Sequence, residues 1–140
     1  AFFAIIAIAN STGSDMIRNL AGIGHRAPVL GLVLAVSMIS LLGIPPTVGF
    51  VGKLYIFSAA VNSGLVWLVI LGVLNSVVSA YYYLRVIRIM YTVTSEPKEQ
   101  IKIGIPPRIA LAITGISVIL LGIMPSTIMN AAQKAVSVLL

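Results

Sequence analysis

Long apolar runs alternate with short polar connectors along the chain. Apolar residues fill positions 1–9, Val29–Val61, Leu65–Tyr91 and Arg108–Met124, and from Val29 to Val61 the only charged residue is Lys53. Polar residues gather at Asn10–Ala27, which contains Asp15, Arg18, His25 and Arg26, and at Thr94–Pro107, which contains Glu96, Lys98, Glu99 and Lys102. Runs of this length predict membrane-spanning helices, the first of them the end of a helix. Ser14 or Asp15 could cap a short helix running to Leu20. In the tail, residues 126–140, Ile128, Ala131, Ala132, Ala135, Val136 and Leu139 recur at helical spacing opposite Asn130, Gln133, Lys134 and Ser137. That pattern predicts an amphipathic interfacial helix. The expected fold is all-α: a polytopic transmembrane bundle with one discontinuous helix and an amphipathic helix at its end.

The discontinuity is predicted at Gly43, Pro45, Pro46, Gly49 and Gly52, in the middle of the Val29–Val61 run. Adjacent prolines remove backbone donors, and glycines loosen the chain. Each half is about 15 residues, or roughly 23 Å of helix, short of the ~20 residues that a hydrocarbon core requires. One interrupted crossing is therefore expected over 29–61, followed by spans over 65–91 and 108–124. The basic residues agree. Arg18 and Arg26 precede the broken segment, and Arg85, Arg88, Lys98, Lys102 and Arg108 flank the connector after the next one, whereas the turn Asn62-Ser63-Gly64 is uncharged. A single crossing at 29–61 places both basic connectors on one face, expected to be cytoplasmic, and the tail on the other. Trp67 at one end of 65–91 and Tyr81, Tyr82, Tyr83 and Tyr91 toward the other fit an aromatic belt.

Composition narrows the function. Of 140 residues, 59% are hydrophobic and 9% charged, and the mean hydropathy is +1.11. This is the profile of a membrane protein. The net charge of +6 is spread over connectors, which argues for membrane anchoring and against nucleic-acid binding. Cysteine is absent and there is a single histidine with three acids, so no metal or cofactor site is expected in this chain. No Ser/His/Asp arrangement or phosphate-binding loop is present. The first residues are apolar without a basic start, so the chain is expected to be the C-terminal part of a longer protein rather than to open on a signal peptide.

Lys53 then carries the chemistry. An ionisable residue within a membrane segment is by default a functional site, and apolar surroundings penalise the ammonium form enough for such a lysine to exchange protons. Carbonyls left unpaired where the first half-helix ends could accept its hydrogen bonds, and the second half points its positive end at the gap. The competing reading is a lysine that snorkels to the interface beside a simple kink. Tyr55, Asn75, Ser79 and His25 are candidates for a polar path or for packing, and Ser76 lies among the polar residues in the middle of 65–91.

The run Ser40-Leu41-Leu42-Gly43-Ile44-Pro45-Pro46-Thr47-Val48-Gly49-Phe50-Val51-Gly52-Lys53, followed by Gly72-Val73-Leu74-Asn75-Ser76-Val77-Val78-Ser79-Ala80-Tyr81-Tyr82-Tyr83-Leu84-Arg85, resembles subunit N of respiratory NADH:quinone oxidoreductase, complex I. The Gly-Ile-Pro-Pro, Gly-Phe and lysine pattern is shared with the wider antiporter-like family; the Asn-Ser and triple-tyrosine run is more particular to subunit N. The resemblance covers essentially the whole chain. It implies a discontinuous twelfth helix whose lysine, Lys53 here, belongs to a proton-translocating axis of charged residues. It also implies an energy-transducing membrane, the bacterial inner membrane, and as partners the lipid bilayer and other complex I membrane subunits, especially neighbouring antiporter-like ones. NADH, FMN, iron–sulfur clusters and quinone are then expected in other subunits. The alternatives are a sodium/proton antiporter subunit of the same superfamily and a structural membrane subunit.

Overall fold

The computed structural model of the chain describes residues 1–12, 20–92 and 104–126 together with positions 130, 132 and 135. Its elements are α1 (Phe2–Thr12), α2 (Ile23–Arg26), α3 (Pro28–Leu42), α4 (Val48–Asn62), α5 (Val66–Thr92) and α6 (Ile105–Ile123). The expected segment around Ser14 and Asp15 and the connector from Thr94 to position 103 lie outside the described residues, as does most of the expected tail helix. The all-α expectation holds, with small shifts at helix ends. α1 reaches Thr12, and α2 is a single helical turn inside the first connector. α6 starts at Ile105 rather than Arg108 and takes Pro106 and Pro107 into its first turn, where a missing N–H leaves no helical bond unmade.

α3 is the hub. It packs against α1, α2, α4, α5 and α6 and carries eight buried residues, whereas α4 has none and α5 only Met90. The core therefore gathers around the first half of α3, with Ile8, Ile23, Leu30, Leu34, Met90 and Leu111 fully enclosed. α5 is the opposite case: 27 residues long, apolar, and exposed along its length, with Val77 at 65% and Val78 at 67% exposure. A water-soluble fold would not leave such a helix uncovered. α5 and α6 are each long and apolar enough to cross a membrane; α3 and α4, at 15 residues each, are not.

Four close contacts order the helices. Gly24 lies under the ring of Tyr91 at the end of α5, and Gly31 sits against Gly24. Further along, Lys53 of α4 meets Ser76, and Phe57 packs on Gly72. Passing back along α5 from Tyr91 to Gly72, roughly 28 Å, the chain is thus met in the order α2, start of α3, α4. On the other side, Gly115 of α6 faces Val33 and Gly122 faces the backbone of Pro46 and Thr47. Seven residues apart, these two glycines lie on one face of α6 and let it approach both α3 and the break.

A methyl group at Gly122 would collide with backbone atoms of Pro46 and Thr47, which have no rotamer to give way. In the intact subunit in detergent, Gly122→Ala is therefore expected to lower stability by about 1–3 kcal/mol. Gly52, with nothing within 4 Å of an added Cβ, supplies the control. Gly52→Ala should be neutral or stabilise α4 by up to about 1 kcal/mol, and thermal melting of the two variants side by side checks the contrast.

Candidate functional site

The site is assembled from two helix ends that meet in the middle of the apolar 29–61 run, where Ile44, Pro45 and Pro46 are exposed and Thr47 is buried. α3 leaves its helical path at Gly43, whose φ of 88° lies in the left-handed region that a side chain would strain. The Gly43 N–H donates to the carbonyls of Ile39 and Ser40, at 3.2 and 3.0 Å, and the Ile44 N–H donates to Ile39 at 3.4 Å. This glycine-based closure satisfies two of the four carbonyls that a helix end leaves open. The last of the four, that of Leu42, accepts instead from the Lys53 Nζ at 2.9 Å.

Five residues, Gly43–Thr47, separate the two helices, with Pro45–Pro46 cis. Thr47 is buried at 4% exposure, and its hydroxyl donates back to the Ile44 carbonyl at 2.7 Å, which closes the connecting turn on itself. Because that hydroxyl is engaged there, it does not cap α4. The cap comes from the other helix: the Gly49 N–H donates to the Ser40 Oγ at 3.1 Å. Gly49 sits so close to the Ser40 carbonyl that a Cβ would overlap it. Of the five residues expected to form the break, Gly43, Pro45 and Pro46 lie in it. Gly49 and Gly52 lie within α4, Gly49 as the contact point between the halves and Gly52 on an open face.

Lys53, in the second turn of α4, folds its side chain back across Gly43, where an added Cβ would meet the lysine Cδ at 2.9 Å. Its Nζ donates to the Leu42 carbonyl and, at 3.1 Å, to the Ser76 Oγ on α5. One side-chain nitrogen thus ties together the end of α3, the start of α4 and the middle of α5. The Ser76 hydroxyl donates onward to the Gly72 carbonyl at 2.9 Å, and Ser79 donates to the Ser76 carbonyl at 2.9 Å. Lys53, Ser76 and Leu42 line a cavity of about 330 Å³ whose other walls are Gly43, Phe50, Leu54, Phe57, Val73, Val77 and Ala80. Among the described residues, Lys53 is the one ionisable side chain in that wall.

The remaining expected residues are placed around this cluster. Ser79 is one turn from Ser76 and bonded to its backbone; Asn75 is exposed on an adjoining face of α5. Tyr55, two positions beyond Lys53, is 46% exposed and does not share its face of α4. His25 is exposed in α2, with its Nε2 3.2 Å from the Tyr91 carbonyl and its ring edge-on to Tyr91, roughly 20 Å along α5 from Ser76. Ser40 is the functional group that sequence reasoning did not single out, and Ser76 is not distinguished there from Asn75 and Ser79. A signal for Ser76 exists in hindsight: with Gly72 and Ala80 it forms an i, i+4, i+8 stripe of small residues, where another helix can approach.

Two apolar helices whose facing ends are joined by a short non-helical link and by polar groups resemble the discontinuous helices of membrane transport proteins. The particular family follows from comparison: residues 1–79 match the model of the NADH:quinone oxidoreductase/Mrp antiporter transmembrane family, and the chain belongs to it. Among curated proteins it is similar to NADH-quinone oxidoreductase subunit N of Dehalococcoides mccartyi, 42% identical over 100% of this chain and 29% of that protein. Subunit N of Trichlorobacter lovleyi is 43% identical over 98% of this chain and 29% of its own length. The chain therefore spans under a third of the relatives it matches. Among solved structures, a chain of respiratory complex I from Thermus thermophilus with bound aureothin superposes with a TM-score of 0.74 at 32% identity, covering 81% of this chain and 26% of that one.

The cap that α3 supplies to α4 is testable. Ser40→Ala removes the acceptor for the Gly49 N–H and is expected to destabilise the start of α4 by about 1 kcal/mol. Hydrogen exchange in the purified protein should then quicken several-fold at the first turn of α4 and not in α6.

Proposed function

We propose that the chain is a segment of a proton-translocating membrane subunit of an NADH:quinone oxidoreductase, and that Lys53 carries the proton. The observation that carries this reading is the placement of Lys53 at a helix break, bound to two neutral oxygens and bordering a cavity. A lysine that snorkelled to an interface would extend along its helix toward water; this one folds back over Gly43 into the gap. The names of the relatives point to the assembly, an NADH–quinone oxidoreductase; in this reading its redox chemistry, with NADH, FMN, iron–sulfur clusters and quinone, is carried by other subunits. The partners are the neighbouring membrane subunits and the lipid that cover the exposed lengths of α4 and α5.

In this reading α3 and α4 form one interrupted crossing. The order of contacts along α5 supports it, since the chain advances from Gly31 through Lys53 to Phe57 as α5 is followed from Tyr91 back to Gly72. The same contacts bring Arg26 and the Arg85–Arg88 end of α5 toward one end of the bundle, which fits a cytoplasmic basic face in a bacterial membrane.

Lys53→Met, introduced into the whole subunit and assembled into the complex, tests the reading. Proton pumping per NADH oxidised is expected to fall roughly tenfold or more. Normal pumping by the assembled variant would defeat the proton-carrier assignment, and pumping that follows sodium would move the chain to the antiporter reading.

A further inference from the structure

We propose that Ser76 is a positioning residue for Lys53: together with the Leu42 carbonyl it holds the lysine nitrogen in both protonation states and turns its exchangeable position toward the cavity. The inference rests on the proton-carrier reading of Lys53 and deepens it.

The argument is a count of donors and lone pairs. A serine hydroxyl has one proton to donate and two lone pairs to offer. The Ser76 proton is spent on the Gly72 carbonyl at 2.9 Å, so toward Lys53 the oxygen acts as an acceptor, at 3.1 Å. The Leu42 carbonyl can only accept, and does so at 2.9 Å. Protonated Nζ carries three N–H groups; deprotonated, it carries two and a lone pair. Two acceptors engage two N–H groups in either state, so neither bond is lost when the proton leaves. The third tetrahedral position is the one that changes.

That position opens on the cavity that Lys53, Ser76 and Leu42 line together. Its other walls are apolar or aromatic, with Phe50, Phe57 and Val73 among them. The exchange partner is then water admitted to the cavity. An N–H bond of the ammonium breaks, its electron pair stays on nitrogen, and the proton forms an O–H bond with that water; uptake is the reverse, and no electron moves. Ser76 is not the relay, because its own proton is committed to Gly72.

The test uses the intact complex with variants of residue 76, assembly checked on native gels, and protons moved per NADH oxidised as the readout. Alanine keeps the helix and removes the acceptor, and Ser76→Ala is expected to lower the ratio about two- to tenfold. Ser76→Thr keeps the hydroxyl and the back-bond to residue 72 and should stay near the parent value. Ser76→Cys, close in size with a weakly accepting sulfur, should follow alanine. A parent-like ratio in assembled Ser76→Ala or Ser76→Cys overturns the proposal, and so does an equal loss in the alanine and threonine variants, which would make the effect one of volume. Lys53→Met separates the two levels: loss of pumping there with a parent-like Ser76→Ala sinks this inference alone, whereas normal pumping in Lys53→Met sinks the reading beneath it.

Discussion

A helix that stops within a hydrocarbon layer leaves N–H and C=O groups with no water to receive them, at several kcal/mol for each group left unsatisfied. The geometry at Gly43–Thr47 follows from that constraint. α3 closes on itself through a left-handed glycine, the turn closes through Thr47, and two further groups are met from other helices: the Gly49 N–H by Ser40 and the Leu42 carbonyl by Lys53. The break is thus a junction in which several open polar groups engage one another, and the lysine is one of them.

Completing the junction requires backbones to approach closely, which explains where glycine is indispensable. Gly49 lies on the Ser40 carbonyl, Gly122 on the backbone of Pro46 and Thr47, and Gly43 under the stem of Lys53. Gly52, about one and a half turns from the gap, has nothing within 4 Å of an added Cβ. Glycine count in the motif therefore overstates the loosening of the chain: Gly49 serves approach, Gly43 serves both conformation and approach, and Gly52 serves neither among the described residues.

Much of this architecture is legible in the sequence, because apolar run length is a coarse quantity that a bilayer constrains directly. The runs around 29–61, 65–91 and 108–124 correspond to helices displaced by a few residues, the displacement at Ile105 arising because proline is tolerated in a first helical turn. The pair Pro45–Pro46 marks the break for the same reason that it cannot continue α3. What cannot be read is which hydroxyl meets which backbone group. Asn75, Ser76 and Ser79 are equivalent as polar residues in an apolar run, and only the rotation of α5 against α4 selects Ser76; Ser40 looks like any small residue near a helix end until α4 turns back against it. His25 shows the converse, a titratable residue conspicuous in sequence that the fold places at the Tyr91 end of the bundle.

Using the lysine as a helix cap has a consequence for the proton-carrier reading. A carboxylate partner would favour the ammonium form through its charge, and would tie the site to one protonation state. A carbonyl and a hydroxyl whose own proton is engaged stabilise N–H donation without supplying a full opposite charge. They remain satisfied as long as two N–H groups are present, which holds for the amine as well as for the ammonium. The junction between α3 and α4 can therefore keep its bonds while the charge at Lys53 changes, so the break and the proton site can occupy the same place without one undoing the other.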